Sequence, residues 1–95
     1  MAALGIVETR GFTAAVEALD AMCKDARVSV KQIKRPGGGH VTLLAEGDVA
    51  AVASAVEAGV HAATRVGGDI ICKHVIANPH PELAKALAYG EENDG

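Results

Sequence analysis

Four histidines, two cysteines and scattered carboxylates are the residues with which this chain could do chemistry, and their spacing gives them little to do together. His40, His61, His74 and His80 include no pair one helical turn apart, the spacing that sets two imidazoles on one face for a metal. His74 and His80 straddle a strand end and a double-proline turn, where interface hydrogen bonding is a commoner fate than a shared ligand. Cys23 and Cys72 form no CxxC unit and read as buried free thiols, without a disulfide. An enzyme would need a nucleophile with its base, or two convergent carboxylates. Glu8 near a strand end and Asp48 at a helix start are better explained by structure. No catalytic residue, metal or cofactor is expected.

The run Gly37-Gly38-Gly39 is more informative. Glycine carries the largest backbone entropy cost on ordering, and a hairpin turn needs only one or two such positions. Three in a row fit either a loose turn or a loop whose N–H groups approach a ligand, an ion or a neighbouring chain. A phosphate loop is excluded, because no Lys-Ser/Thr follows and no helix starts there. Lys34, Arg35 and Pro36 precede the run and His40 follows it.

The elements that hold these residues follow from hydrophobic period. Leu4 to Val7 is a short apolar run ending at Glu8, read as a central strand. Phe12, Val16, Leu19 and Met22 or Cys23 then recur at helical spacing, predicting one amphipathic face and a helix ending near Ala26. Val28-Ser29-Val30 and residues 40–44 alternate as strands and flank the glycine run as a hairpin. Asp48 is placed as N-cap of a second helix whose buried stripe is Val49, Val52, Val56, Val60 and Ala63, stopped by Gly67-Gly68. Residues 70–76 form the fourth strand, and Pro81 opens a short last helix through Leu83, Ala84 and Leu87. The order βαββαβ plus a small helix predicts an α+β, ferredoxin-like fold, an antiparallel sheet with both main helices on one face. Glu91 to Gly95 reads as a solvated, structureless acidic tail.

Bulk properties agree. Ninety-five residues make one domain with one small core, and with a single Phe and a single Tyr that core is Ala, Val, Ile and Leu. Such a domain is marginal alone, and oligomerisation is a common remedy. The net charge of −3, with acids and bases interspersed, offers no footprint for nucleic acid or membrane. The segment after Met1 lacks the charged and apolar regions of a secretory signal, and a cytoplasmic location is expected.

The residues also carry a resemblance. Ala3 to Gly11, Ala18 to Lys24, Gly37 to Gly39, Glu46 to Val49 and His74 to His80, in this order and spacing, resemble the hexameric shell proteins of bacterial microcompartments, the single-domain type of the BMC-domain family. The resemblance implies one shell domain over residues 1–90, with 91–95 as the tail. It implies a wedge-shaped, non-enzymatic subunit that closes into a cyclic homohexamer through heterologous contacts and tiles edge to edge with other hexamers and shell proteins. Gly37, Gly38 and Gly39 would line a central pore, with Lys34, Arg35, Pro36 and His40 nearby. Lys24, Arg27, Asn78, Pro79 and His80 would lie on the edge between hexamers. Small polar or anionic metabolites would cross the pore, and the enclosed enzymes would be only indirect partners. Many relatives have an arginine where Asn78 stands, serine where Gly38 stands and an aliphatic residue where Pro36 stands. Some hold an iron–sulfur cluster on a pore cysteine, and none is expected here. The alternative is a ferredoxin-like regulatory module that grips a metabolite with the glycine run at subunit interfaces.

Overall fold

The computed structural model describes residues 2–25, 27–34, 39–83 and 86, with backbone only for 32–34. Its elements are β1 (Ala3–Arg10), α1 (Phe12–Cys23), β2 (Val28–Lys34), β3 (His40–Gly47), α2 (Val49–Arg65) and β4 (Asp69–Ile76). The four strands form one sheet in the order β2-β3-β1-β4, every pair antiparallel. This is the expected ferredoxin-like arrangement.

Register decides which residues meet the helices. Val7 sits opposite Leu43 and Gly5 opposite Ala45, and this row faces the helix layer. Strands alternate faces with period two, which puts Leu4, Ile6 and Glu8 on the other side. Helix α2 lies over β1 and β4, and α1 packs beside it over β2 and β3. The core is Val7, Leu43 and Ala45 from the sheet, Ala14, Ala15, Ala18 and Met22 from α1, and Val52, Ala55, Val56 and Ala63 from α2.

Close approach is achieved with glycine. A Cβ on Gly5 would stand 2.6 Å from Val52 Cγ1 and 2.6 Å from Val56 Cγ2, so α2 rests directly on the β1 backbone. Between the helices, Gly59 faces Met22 and Gly68 faces the Ala14 methyl.

The chain stops α2 as expected. Gly67 has φ +79°, its N–H donates to the Thr64 carbonyl, and the Gly68 N–H donates to the Ala63 carbonyl. These are the two bonds of a Schellman motif, which requires the left-handed residue that glycine supplies without strain. Asp48 holds the N-cap position, but its side chain makes no capping bond; its carbonyl accepts from the Val52 N–H.

Four expectations need correction. Helix α1 ends at Cys23, not near Ala26, because Asp25 captures the next turn; Ala26 lies outside the described residues. Phe12 and Val16 are exposed (62% and 41%), and the buried face of α1 is the alanine face with Met22. Two helices packed this closely admit alanine and glycine at the contact, so the larger residues point away. Val49 is likewise exposed, and Val60 only half-buried, while Val52, Val56 and Ala63 are buried. Cys23 and Cys72 are both free as read, but exposed instead of buried. Cys23 lies on the outer flank of α1, and Cys72 on the edge strand opposite Glu8, on the face away from the helices.

Candidate functional site: two ends of one sheet

The sheet sorts the candidate residues to its two ends. At one end Arg10 pairs with both His40 and Asp69, and the Gly11 N–H donates to the Gly39 carbonyl at 2.8 Å. The hairpin carrying the glycine run is thereby tied to the start of α1. Gly39 has φ +68° with open space around its missing side chain, so its backbone, not packing, requires glycine. His40 is half-buried beside it. Lys34 ends β2 opposite Val41. Arg35, Pro36, Gly37 and Gly38 lie outside the described residues.

At the other end, Leu4 pairs with Ile76 and Ala3 with Gly47, while Val28 also pairs with Gly47. The turn from Lys24 to Arg27 and the turn from Ala77 to His80 therefore share this end. Eight-residue strands at about 3.3 Å per residue put it about 25 Å from the glycine turn. Lys24 is exposed and pairs with Asp20 one turn back, at 3.3 Å. Arg27 packs so closely on β3 that its carbonyl would meet any Cβ at Gly47. In the second turn Asn78 and His80 are exposed and Pro79 is buried.

His80 caps the short helix that Pro81 opens. Its Nδ1 accepts from the Glu82 N–H at 3.1 Å, its carbonyl accepts from the Leu83 N–H, and Pro81 opens the helical residues 81–83. Proline at the first helical position has no N–H to leave unpaired. Ala84 and Leu87, assigned to the same helix, lie outside the described residues, as do residues 91–95.

Asp25 organises the first turn. Its Oδ1 accepts from the Arg27 N–H at 2.9 Å and Nε at 3.1 Å, and its Oδ2 from Nη2 at 2.8 Å. The Arg27 side-chain bonds, then its backbone N–H, hold the Asp25 carboxyl down to about 2 from 3.8, and the same pair raises Arg27. A depressed acid contributes stability above its unfolded value, lost as pH falls from about 3.8 through about 2. Carboxyl-carbon NMR is expected to give an Asp25 midpoint near 2 in the wild type and one back toward 3.8 in Arg27→Ala.

Glu8 lies two residues from the end of β1, near the strand end as expected, and a carboxylate oxygen accepts from Thr42 Oγ1 at 3.0 Å. Asp48, the other acid considered, sits at the opposite end of the sheet, after Gly47. His61 is exposed on α2 and His74 on β4. Among the described residues no three His, Cys, Asp or Glu side chains come together around a common point. No helix of the described residues is long and apolar enough to cross a membrane.

Residues 3–79 match the family described as the BMC domain. The chain is 46% identical over 91 residues to the carboxysome shell protein CsoS1C of Hydrogenovibrio crunogenus, covering 96% of this chain and 89% of that one. It is 47% identical to the carboxysome shell protein CcmK2 of Synechocystis sp., over 95% of this chain and 90% of the relative. With the microcompartment shell protein EutM of Escherichia coli it shares 46% identity, over 99% of this chain and 96% of the relative. Among solved structures, a microcompartments protein from Desulfitobacterium hafniense superposes with a TM-score of 0.78 at 36% identity, over 87% of this chain. The match covers 47% of that protein, so the present chain spans about half its length. With a fold, a profile and near-full-length relatives in agreement, this chain belongs to the BMC-domain family.

Proposed function

We propose that the protein is a structural shell subunit of a bacterial microcompartment, that it closes into a homohexamer, and that these hexamers tile into sheets with one another and with other shell proteins. The observation that carries this reading is the division of the sheet into two ends. A positive-φ glycine at a hairpin tip with free space around it suits a point where several backbones converge. The polar, exposed Lys24, Arg27, Asn78 and His80 at the far end suit a rim that meets other tiles. Relatives named as shell proteins along almost the whole chain support the same role, and none of those named above is an enzyme.

In this reading Gly37, Gly38 and Gly39 line the hole on the axis. Their backbone N–H groups, with copies of Lys34, Arg35 and His40 around them, favour small anionic or polar solutes over bulky or apolar ones. Lys24, Arg27 and the turn from Asn78 to His80 form the seam between tiles. Asn78 makes that seam with a shorter and less multidentate donor than arginine.

Native mass spectrometry and electron microscopy of the purified protein test the assembly. A hexamer that grows into hexagonal layers or rolled tubes is the expected result; a monomer, or a ligand-stabilised dimer or trimer, overturns it. The pore is tested separately: Arg35→Glu is expected to slow anion entry into assembled shells by about tenfold or more, and unchanged entry refutes the assigned selectivity.

A further inference from the structure

Among the described residues, three glycines hold a positive φ that packing does not force. Gly11 (φ +93°), Gly39 (φ +68°) and Gly67 (φ +79°) each have nothing within 4 Å of the place a Cβ would take. Gly67 ends α2 through its bond to the Thr64 carbonyl. Gly11 has no such role in its own helix. It stands at the N-cap of α1, where a side-chain oxygen would ordinarily serve the first turn, and it brings none.

What Gly11 does make is a set of backbone connections. Arg10 pairs with His40, so Gly11 falls next in register, opposite Gly39. Its N–H donates to the Gly39 carbonyl at 2.8 Å, one rung beyond the end of both strands. Its own carbonyl accepts from the Ala15 N–H at 3.4 Å and from the hydroxyl of the fully buried Thr9 at 3.4 Å. Those two are long for hydrogen bonds, so the bond to the hairpin is the strong contact of this residue.

The hairpin has use for such a tie. The β2–β3 ladder ends at Lys34 and Val41, and the β1–β3 ladder at Arg10 and His40. Gly39 lies beyond both, and glycine loses more backbone freedom on ordering than any other residue, which favours fraying there. The extra rung comes from a rigid source: Val7 and Thr9 before Gly11, and Ala14 and Ala15 after it, are all buried. An L-residue at position 11 would find the space but not the conformation. Leaving the positive-φ region turns its N–H away from Gly39.

We propose that Gly11, steadied by Thr9, is a positioning residue for the glycine turn: it fixes the base of the hairpin at Gly39 and so sets the opening that the turns share in the ring. The inference rests on the hexameric pore reading and deepens it. Gly11 touches no solute and acts through Gly39.

The test sets Gly11→Ala beside Gly67→Ala, which carries a similar conformational penalty at a site with no bond to the hairpin. Residue-resolved amide exchange is followed at His40 and Val41, where β3 begins, and at Ala45 and Glu46, toward its other end. Gly11→Ala is expected to speed exchange at His40 and Val41 by about tenfold, the effect of losing one backbone hydrogen bond, with Ala45 and Glu46 unchanged. Gly67→Ala is expected to leave all four at the wild-type rate. In assembled shells, Gly11→Ala is expected to keep the hexamer by native mass but lower the preference for acetate entry over citrate by about threefold or more, because a released turn admits the bulkier anion. Thr9→Val, which alters no positive-φ position, is expected to act in the same direction more weakly, and Thr9→Ser to match the wild type.

Faster exchange confined to the first turn of α1, or a released hairpin with unchanged preference, overturns the inference and leaves the pore reading standing. Thr9→Val indistinguishable from Thr9→Ser overturns the part assigned to Thr9. Absence of a wild-type hexamer overturns the pore reading and this role with it, while the exchange rates still report whether Gly11 holds Gly39.

Discussion

Gly5→Val is expected to remove most of the folding stability, giving a protein that is largely insoluble or melts far below the wild type. The missing side chain is the contact plane between β1 and α2. Any Cβ there stands 2.6 Å from methyl groups of both Val52 and Val56. Neither can swing aside, since valine in a helix is held to essentially one χ1 rotamer. Relief requires α2 to rise from the sheet, which opens the core around Val7 and Leu43. Overpacking usually costs about 1–3 kcal/mol, and lifting a whole helix puts this case at about 3 kcal/mol or more of a total typically about 5–15. Val52→Ala and Val56→Ala are each destabilising alone but make room for the new atoms. Each is expected to lose less in a Gly5→Ala background, with a favourable coupling of about 1 kcal/mol or more by urea denaturation. Simple additivity would show that α2 tolerates the displacement and that the contact is not rigid.

The second large effect is expected at Leu43. It is fully buried, the largest aliphatic core side chain of β3, and sits opposite Val7 beneath both helices. With one Phe and one Tyr in the chain, and that Phe exposed, no aromatic ring of the described core stands ready to fill the space. Its neighbours are mostly alanine and valine, too short to collapse into the void. Leu43→Ala is expected to cost about 3 kcal/mol, toward the middle of the 2–5 range for such cavities. Urea denaturation at a concentration where the oligomeric state is unchanged provides the measurement. A loss below about 1 kcal/mol would mean that the helix layer closes over the gap.

These two effects expose a limit of periodicity as a guide. The spacing of Phe12, Val16 and Leu19 does mark one face of α1, but it does not say whether that face meets the subunit's own core. The buried face of α1 is made of Ala14, Ala15 and Ala18 with Met22, residues that give a weak hydrophobic signal because each buries little area. The same ambiguity affected Cys23 and Cys72. A free cysteine is usually buried, yet one lies on the outer flank of α1 and the other on an edge strand. In α2 period and burial agree at Val52, Val56 and Ala63, which face inward, but not at Val49, which is exposed.

The sequence by itself determined the order of elements, the hairpin around the glycine run, the glycine stop of α2 and the proline start of residues 81–83. Each depends on local backbone chemistry: a period of two or of 3.6, a residue free to take positive φ, a ring with no N–H to lose. It also placed the chain beside a known family through short segments spread along its length. Only the tertiary structure decided which apolar residues meet inside, because that depends on how closely two helices and a sheet approach. It also set Lys24 and Arg27 at one end of the sheet with the turn from Asn78 to His80, about 50 positions away in sequence. Strand register is the reason: pairing converts distance along the chain into position along the sheet, and no local pattern of residues contains that conversion.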